Sequence, residues 1–250
     1  MIDITTTATL RPELYEQSLK SLVKYVHGDE GRLLINIDPV GPGSADDVEA
    51  VARKYMDNVV VFRPEQANFQ LAQLRLWAAV ETEFFLNMED DWEILVDVDL
   101  REMVRVMKAN PDLALLRLPR WASGEKVTRQ WDKRGDRGIP FNGAFFEIPY
   151  QMRGNLGFSG MPSLIRTEFL LPMCQYLDPE YDLEKQMKAR GRFGRYLFEW
   201  RYGVWQKPNE PEAILDIGTP WRKKHKWMKD GKSKHKWTTW QKMEGEPDAK

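Results

Sequence analysis

The sequence predicts an α/β fold, a single domain built on a mostly parallel central sheet flanked by helices. Two observations carry that expectation. Strand-like runs rich in β-branched residues alternate with amphipathic helical periods through the first 118 residues, the pattern that builds a parallel sheet covered by helices. Turn and stop signals, among them Gly41-Pro42-Gly43 and Asn110-Pro111, punctuate the alternation where one element must end. A third observation locates chemistry on the fold: three consecutive acids, Glu89-Asp90-Asp91, close an apolar strand.

In order, residues 2–7 read as a strand, and Pro12 opens a helix whose apolar face is Leu19, Leu22, Val23 and Val26. Residues 33–37 form the second strand, ended by Asp38-Pro39. Val48, Val51, Ala52, Tyr55 and Met56 recur at helical spacing in a helix starting near Ser44, and residues 59–62 are the third strand. A helix over 67–82 leads into a strand over 83–88, which delivers the three acids at its carboxyl end. Leu100, Met103, Val104 and Met107 mark the next helix, and residues 113–118 the next strand.

From 121 to 155 the chain is polar and irregular, with a strand expected over 143–148. Strands over 161–165 and 213–217 and helices over 167–176 and 181–189 complete the second half. The last thirty residues differ in character. There Trp221, Trp227, Trp237 and Trp240 are interleaved with Arg222, Lys223, Lys224, Lys226, Lys229, Lys232, Lys234 and Lys236, a basic aromatic surface or tail. The domain is therefore expected to span 1–220, with halves at 1–118 and 119–220, followed by a basic segment at 221–250.

A chain of 250 residues with 42% hydrophobic content can bury one large core. Its net charge of −1 gives the whole molecule no general attraction to nucleic acid. The opening residues lack a basic then apolar leader, and no run approaches the length of a membrane span, so a soluble, cytoplasmic protein is expected. Cys174 alone forms neither an intrachain disulfide nor a cysteine metal cluster, and reads as a small buried side chain. His225 and His235 lie ten residues apart among lysines, a setting that disfavours a bound cation.

Ligands of open α/β sheets bind beyond the carboxyl ends of the strands, which is where the acids fall. Carboxylates packed together repel unless a cation neutralises them, and hard oxygen ligands suit Mn²⁺ or Mg²⁺ bridging to a diphosphate. The order TTTATLRP, LLINID, long helix, FLNMEDDWE resembles the nucleotide-sugar-binding half of GT-A glycosyltransferases over residues 2–118, with the acids in the place of that fold's DXD-type motif. The resemblance implies a Rossmann-type sheet and a metal-dependent glycosyltransferase using a UDP- or GDP-sugar donor and a glycan or other hydroxyl acceptor. It implies that Thr5, Thr7 and Arg11 hold the nucleotide, Asp38 contacts its base, and Asn68 touches the donor. Asp91 would ligate the metal with Glu89, and Asp90 would face the ribose or donor sugar.

On the acceptor side, FSGMPSLIRTEFL followed by DPEYDLEKQMKARG resembles segments of some GT-A families in which a helix carries the general base. Glu184 is the first choice for that base and Asp182 the second, and the transfer would proceed with inversion. AILDIGTPWRK resembles a late strand and loop near the metal, with Asp216 standing where a histidine is frequent and Trp221, Arg222 and Lys223 following onto the donor. The competing readings are a nucleotidyltransferase of similar fold, disfavoured because TTTATLRP lacks glycine, and a single-strand nucleic-acid binder using the tail. No stable nucleic-acid partner is expected, since that reading leaves the strand-end acids unexplained. Trp92, Trp121, Trp131 and Trp205 are candidates for stacking on sugar rings.

Overall fold

A computed structural model of the chain describes residues 1–120, 141–188, 193–229 and 240–242. Fourteen strands are assigned in this range: β1 Ile2–Thr9, β2 Val26–His27, β3 Glu30–Asp38, β4 Val59–Phe62, β5 Phe84–Glu89, β6 Trp92–Ile94, β7 Val98–Asp99, β8 Leu113–Arg117, β9 Phe146–Glu147, β10 Ser163–Arg166, β11 Arg201–Val204, β12 Ile214–Asp216, β13 Trp227–Lys229 and β14 Trp240–Lys242. The helices of the first half are α1 Pro12–Tyr25, α2 Ala45–Tyr55, α3 Phe69–Ala78 and α4 Leu100–Ala109.

The central sheet has the order β4-β3-β1-β5-β10-β8-β11-β9. Strands β4, β3, β1 and β5 run parallel, β10 is antiparallel to both its neighbours, and β8 and β11 are again parallel to each other. The inner strands are buried on both faces because helices cover both: Ile4, Leu33, Ile35 and Leu86 face one core with α1, α2 and α4, and Leu34 and Phe85 face the other with Trp77 and Phe169. From β1 the chain crosses to β3 on one side and later to β5 on the other, so strand order reverses between β1 and β5. That reversal opens a crevice at their carboxyl ends.

Local signals explain the boundaries. Pro12 stands in the first turn of α1, Ser44 caps α2 by accepting from the Asp47 amide, and Asp99 caps α4. Arg166 ends β10 by donating to the carbonyls of Leu113, Met107 and Asn110 at 3.1, 2.6 and 3.2 Å, which ties the second half of the chain to α4 and β8.

The second half departs further from expectation. The strand over 143–148 contracts to Phe146–Glu147, and the helix over 181–189 to the single turn Leu183–Gln186. The helix Gly194–Glu199 and the sheet strand β11 carry no periodic signal, because six and four residues are too few to display one. The helix Gly218–His225 runs across the boundary expected after residue 220 and joins the domain to the basic segment.

Gly203 lets β11 approach its neighbours, since a Cβ there would stand 2.5 Å from Phe145 and 2.6 Å from Leu116. Overpacking of this kind costs about 1–3 kcal/mol. Gly203→Ala is expected to lower the unfolding free energy by that amount, seen in equilibrium urea unfolding as a lower midpoint at an unchanged slope.

Candidate functional site

The crevice is built from the ends of β1 and β5. The Asp90 amide continues the ladder by donating to the Thr7 carbonyl at 3.0 Å, so the turn after β5 is held against β1. Asp90 is 3% exposed, and both carboxylate oxygens are engaged within the protein. Oδ2 accepts from the amide and hydroxyl of Thr9 at 3.0 and 3.1 Å, and Oδ1 accepts from Arg11 Nη2 at 2.6 Å. Arg11 Nε in turn donates to the Thr9 hydroxyl at 2.6 Å. Asp90 therefore fastens the loop after β1 instead of presenting a free carboxylate to a sugar.

Asp91 is placed differently. Its Oδ2 lies 3.6 Å from Arg11 Nη2 and 3.6 Å from Arg222 Nη1, at ion-pair range and beyond hydrogen-bond length. Burial pushes its carboxyl up to about 6, reinforced by the charges of Asp90 and Asp216, while Arg11 and Arg222 oppose the rise. The carboxylate rests on the first residue of the Gly218–His225 helix, where a Cβ on Gly218 would overlap it. Glycine is required there by this approach alone. The Ile217 amide donates to the Asp91 carbonyl at 3.0 Å, so backbone and side chain join the same two elements.

Asp216 stands beside this point at the end of β12. Burial alone would raise its carboxyl. The Thr219 amide and hydroxyl, both at 2.9 Å, together with the charges of Arg120 and Arg222 outweigh burial and hold it below the usual range. Arg120 reaches Asp216 at 3.0 Å with its guanidinium over the Trp92 ring, so Trp92 is committed to a cation contact. Trp221 is 9% exposed, carries Arg11 on its face at 5.3 Å and donates from Nε1 to Glu13 at 3.1 Å.

A cavity of about 190 Å³ collects Thr7, Arg11, Asp38, Glu89, Asp90, Asp91, Asp216 and Arg222 in its wall together with Trp92, one of the stacking candidates, and adds Thr9 and Phe69, which the sequence reading had not placed there. Thr7 Oγ1 is buried and without a hydrogen-bond partner. The remaining expected residues lie outside this wall. Thr5 is fully buried and donates to Asn87 at 3.2 Å, inside the sheet. Asn68 caps α3, accepting from the amides of Gln70 and Leu71 at 3.0 Å each. Lys223 is exposed on the outer side of its helix.

On the second-half side, Asp182 is consumed as a helix cap, accepting from the Lys185 amide at 3.0 Å. Glu184 is raised above the usual carboxylate range, first by burial and further by Asp182, against Lys188, Arg117 and a hydrogen bond with Ser159. Next to Ser159, Gly160 has Gln73 and Glu89 as its neighbours, and its carbonyl accepts from Asn87 Nδ2 at 3.1 Å, so Glu184 and the acids share the carboxyl end of the sheet. Trp205 is half-buried on a separate cavity of about 280 Å³ with Asp97, Asp99 and Glu102. Trp121, Trp131, Trp237 and His235 lie outside the described residues, while His225 stacks on Trp221 at 4.4 Å.

No protein-family model matches the chain, and no curated protein matches it in sequence. Solved structures do match its fold. The crystal structure of S. aureus TarS 1-349 superposes with a TM-score of 0.58 at 16% identity over 86% of this chain, and the same fragment in complex with UDP-GlcNAc with a TM-score of 0.54. The chain spans 60% of the TarS 1-349 fragment's length. CMP:2-keto-3-deoxy-manno-octonic acid synthetase complexed with CTP matches with a TM-score of 0.51 at 11% identity, over 89% of this chain and 96% of the synthetase. The chain therefore has the GT-A-like α/β fold of proteins crystallised with nucleotides and a nucleotide sugar. No helix among the described residues is long and apolar enough to cross a membrane.

Asp38 yields a pH test. It is 6% exposed, accepts from Asn36 Nδ2 at 2.8 Å, and burial pushes its carboxyl up to about 6 from an ordinary value of 3.8. A raised acid opposes folding when ionised, so stability rises as pH falls through 6 and levels off near 3.8. Asp38→Asn is expected to stabilise the protein by about 1–3 kcal/mol near neutral pH, the gain fading to nothing by about pH 4, as read from unfolding across that range.

Proposed function

We propose that the chain is a metal-dependent glycosyltransferase that moves a sugar from a UDP- or GDP-sugar to a hydroxyl of a glycan or other acceptor, with inversion. The observation that carries this reading is the convergence on Asp91, at the switch point of the sheet, of two guanidinium groups, a second carboxylate and a helix amino end. The TarS structures with UDP and with UDP-GlcNAc support it by showing what a related fold holds.

Each residue then has a chemical task. Arg11 and Arg222 bring positive charge to a diphosphate and to the charge that grows on it as the sugar leaves. Thr7 Oγ1 offers a hydrogen bond in the cavity wall, and Asp38 presents a carboxylate to an N–H of the base. Glu184 takes the acceptor's hydroxyl proton as that oxygen attacks the anomeric carbon. The bond from that carbon to the diphosphate breaks and the nucleoside diphosphate departs.

A divalent metal fits the donor set in one particular way. Among the described residues no three His, Cys, Asp or Glu side chains form a ready metal cluster. Asp91, with Asp216 beside it, would hold Mn²⁺ or Mg²⁺, the rest of the coordination coming from donor phosphates and water, as is usual for small hard cations. Bound there, the ion would act as a Lewis acid toward the diphosphate. Glu89, whose carboxylate borders Gly160, belongs to the rim of this arrangement.

Nucleotidyl transfer is the second reading, favoured by the coverage of nearly the whole synthetase that was crystallised with CTP. Calorimetric titration of UDP, GDP and CTP, each with Mn²⁺ and with EDTA, separates the two. Metal-dependent binding of UDP or GDP, weakened at least about tenfold in Asp91→Asn, is the expected result. Binding of CTP alone, with diphosphate released on adding a sugar acid, would establish nucleotidyl transfer. No nucleotide binding would sink both readings.

A further inference from the structure

The surface of the described chain is largely charge-matched. Arg32 is paired with Asp3 and Glu81, Arg53 with Glu49, Lys54 with Glu16, Arg63 with Asp46 and Glu49, Lys108 with Glu83, and Arg201 with Asp112 and Glu147. One strip gathers three cations outside this pairing. Lys223, Lys224 and Lys226 are exposed at the end of the Gly218–His225 helix, and among the described residues they have no acidic partner.

Helix polarity explains only part of this strip. One or two cations in a last turn satisfy the partial negative charge of the helix end, and the effect fades within that turn. Here the basic sequence continues past it: residues 221–242 hold nine lysines and arginines against the single acid Asp230, in a chain whose net charge is −1. The strip is also anchored. Trp221 is clamped between Arg11 and His225, and Trp227 packs on the apolar patch of Leu14, Ile217 and Trp221, so the cations are held beside the crevice.

We propose that this strip is a docking surface for an anionic phospholipid bilayer, holding the crevice close to the membrane. A cluster of lysines within a Debye length of an anionic leaflet is drawn to it without any specific pocket. Single-stranded nucleic acid asks for something else, aromatic faces open for base stacking. The two tryptophans whose surroundings are described have their rings committed to the protein's own contacts. The inference does not depend on sugar transfer.

Co-sedimentation of the full chain with phosphatidylcholine vesicles, with and without about a third phosphatidylglycerol, tests it at low and high salt. Binding is expected to the anionic vesicles alone and to vanish at high salt. The double variant Lys224→Gln, Lys226→Gln is expected to bind on the order of 20-fold more weakly, roughly fivefold per lysine, at an unchanged melting temperature. Absence of binding to anionic vesicles at low salt, equal binding to both vesicle types, or full binding by the double variant would each overturn the proposal. Tight capture of an oligothymidylate with no vesicle binding would overturn it too, in favour of nucleic acid.

Discussion

The contact between Asp90 and Arg11 is the constraint on which the crevice depends. Each side chain is more than nine-tenths buried, and each would be costly alone: burial opposes the charge on Arg11, which Asp90 and Asp91 more than restore. Removing one partner of such a pair typically costs about 3–5 kcal/mol, because the other is left buried and uncompensated. The pair joins the loop after β1 to the turn after β5 at the place where strand order reverses. Everything else at the site is arranged around that joint: Trp221 lies against Arg11, and Asp91 follows Asp90 by one residue.

This division of labour explains why neighbouring acids behave differently. Asp90 has two satisfied oxygens and a structural task. Asp91 has two guanidinium groups at 3.6 Å and a second carboxylate beside it, and burial raises its carboxyl. The sequence reading also gave the two acids different tasks, the metal to Asp91 and a ribose or donor-sugar contact to Asp90, whose two oxygens are already engaged within the protein.

The first half of the fold was legible because its signals are long and local. The strand over 59–62 and the cap at Ser44 appear where periodicity and cap chemistry put them, and β1, β3, β5 and α4 differ from expectation by a few residues at their ends. The second half was less so, because its elements are held by distant contacts that no window of sequence displays. Strand β11 exists because β8 and β9 flank it, and the turn at Leu183 because Gln70 accepts its amide. Thr5 and Asn68 were read as ligand contacts from the family resemblance, and only the fold shows their polar atoms turned to the sheet and to a helix cap. Gly218, the glycine of LDIGTP, carried a legible signal, since a glycine opening a helix invites the question of what lies against it.

The antiparallel β10 has a consequence for how the chain is assembled. Strand β5, which bears the acids, is the outer member of the parallel block, and its open edge is closed by β10, some eighty residues later. Strand β8 is made first but sits beyond β10, so it cannot cover that edge. During synthesis the strand that carries the chemistry therefore waits with unpaired backbone groups until β10 is made, a period in which an edge can recruit the wrong chain. The functional half of the sheet is not a self-sufficient unit, and a shortened form ending near residue 120 would be born with a sticky border.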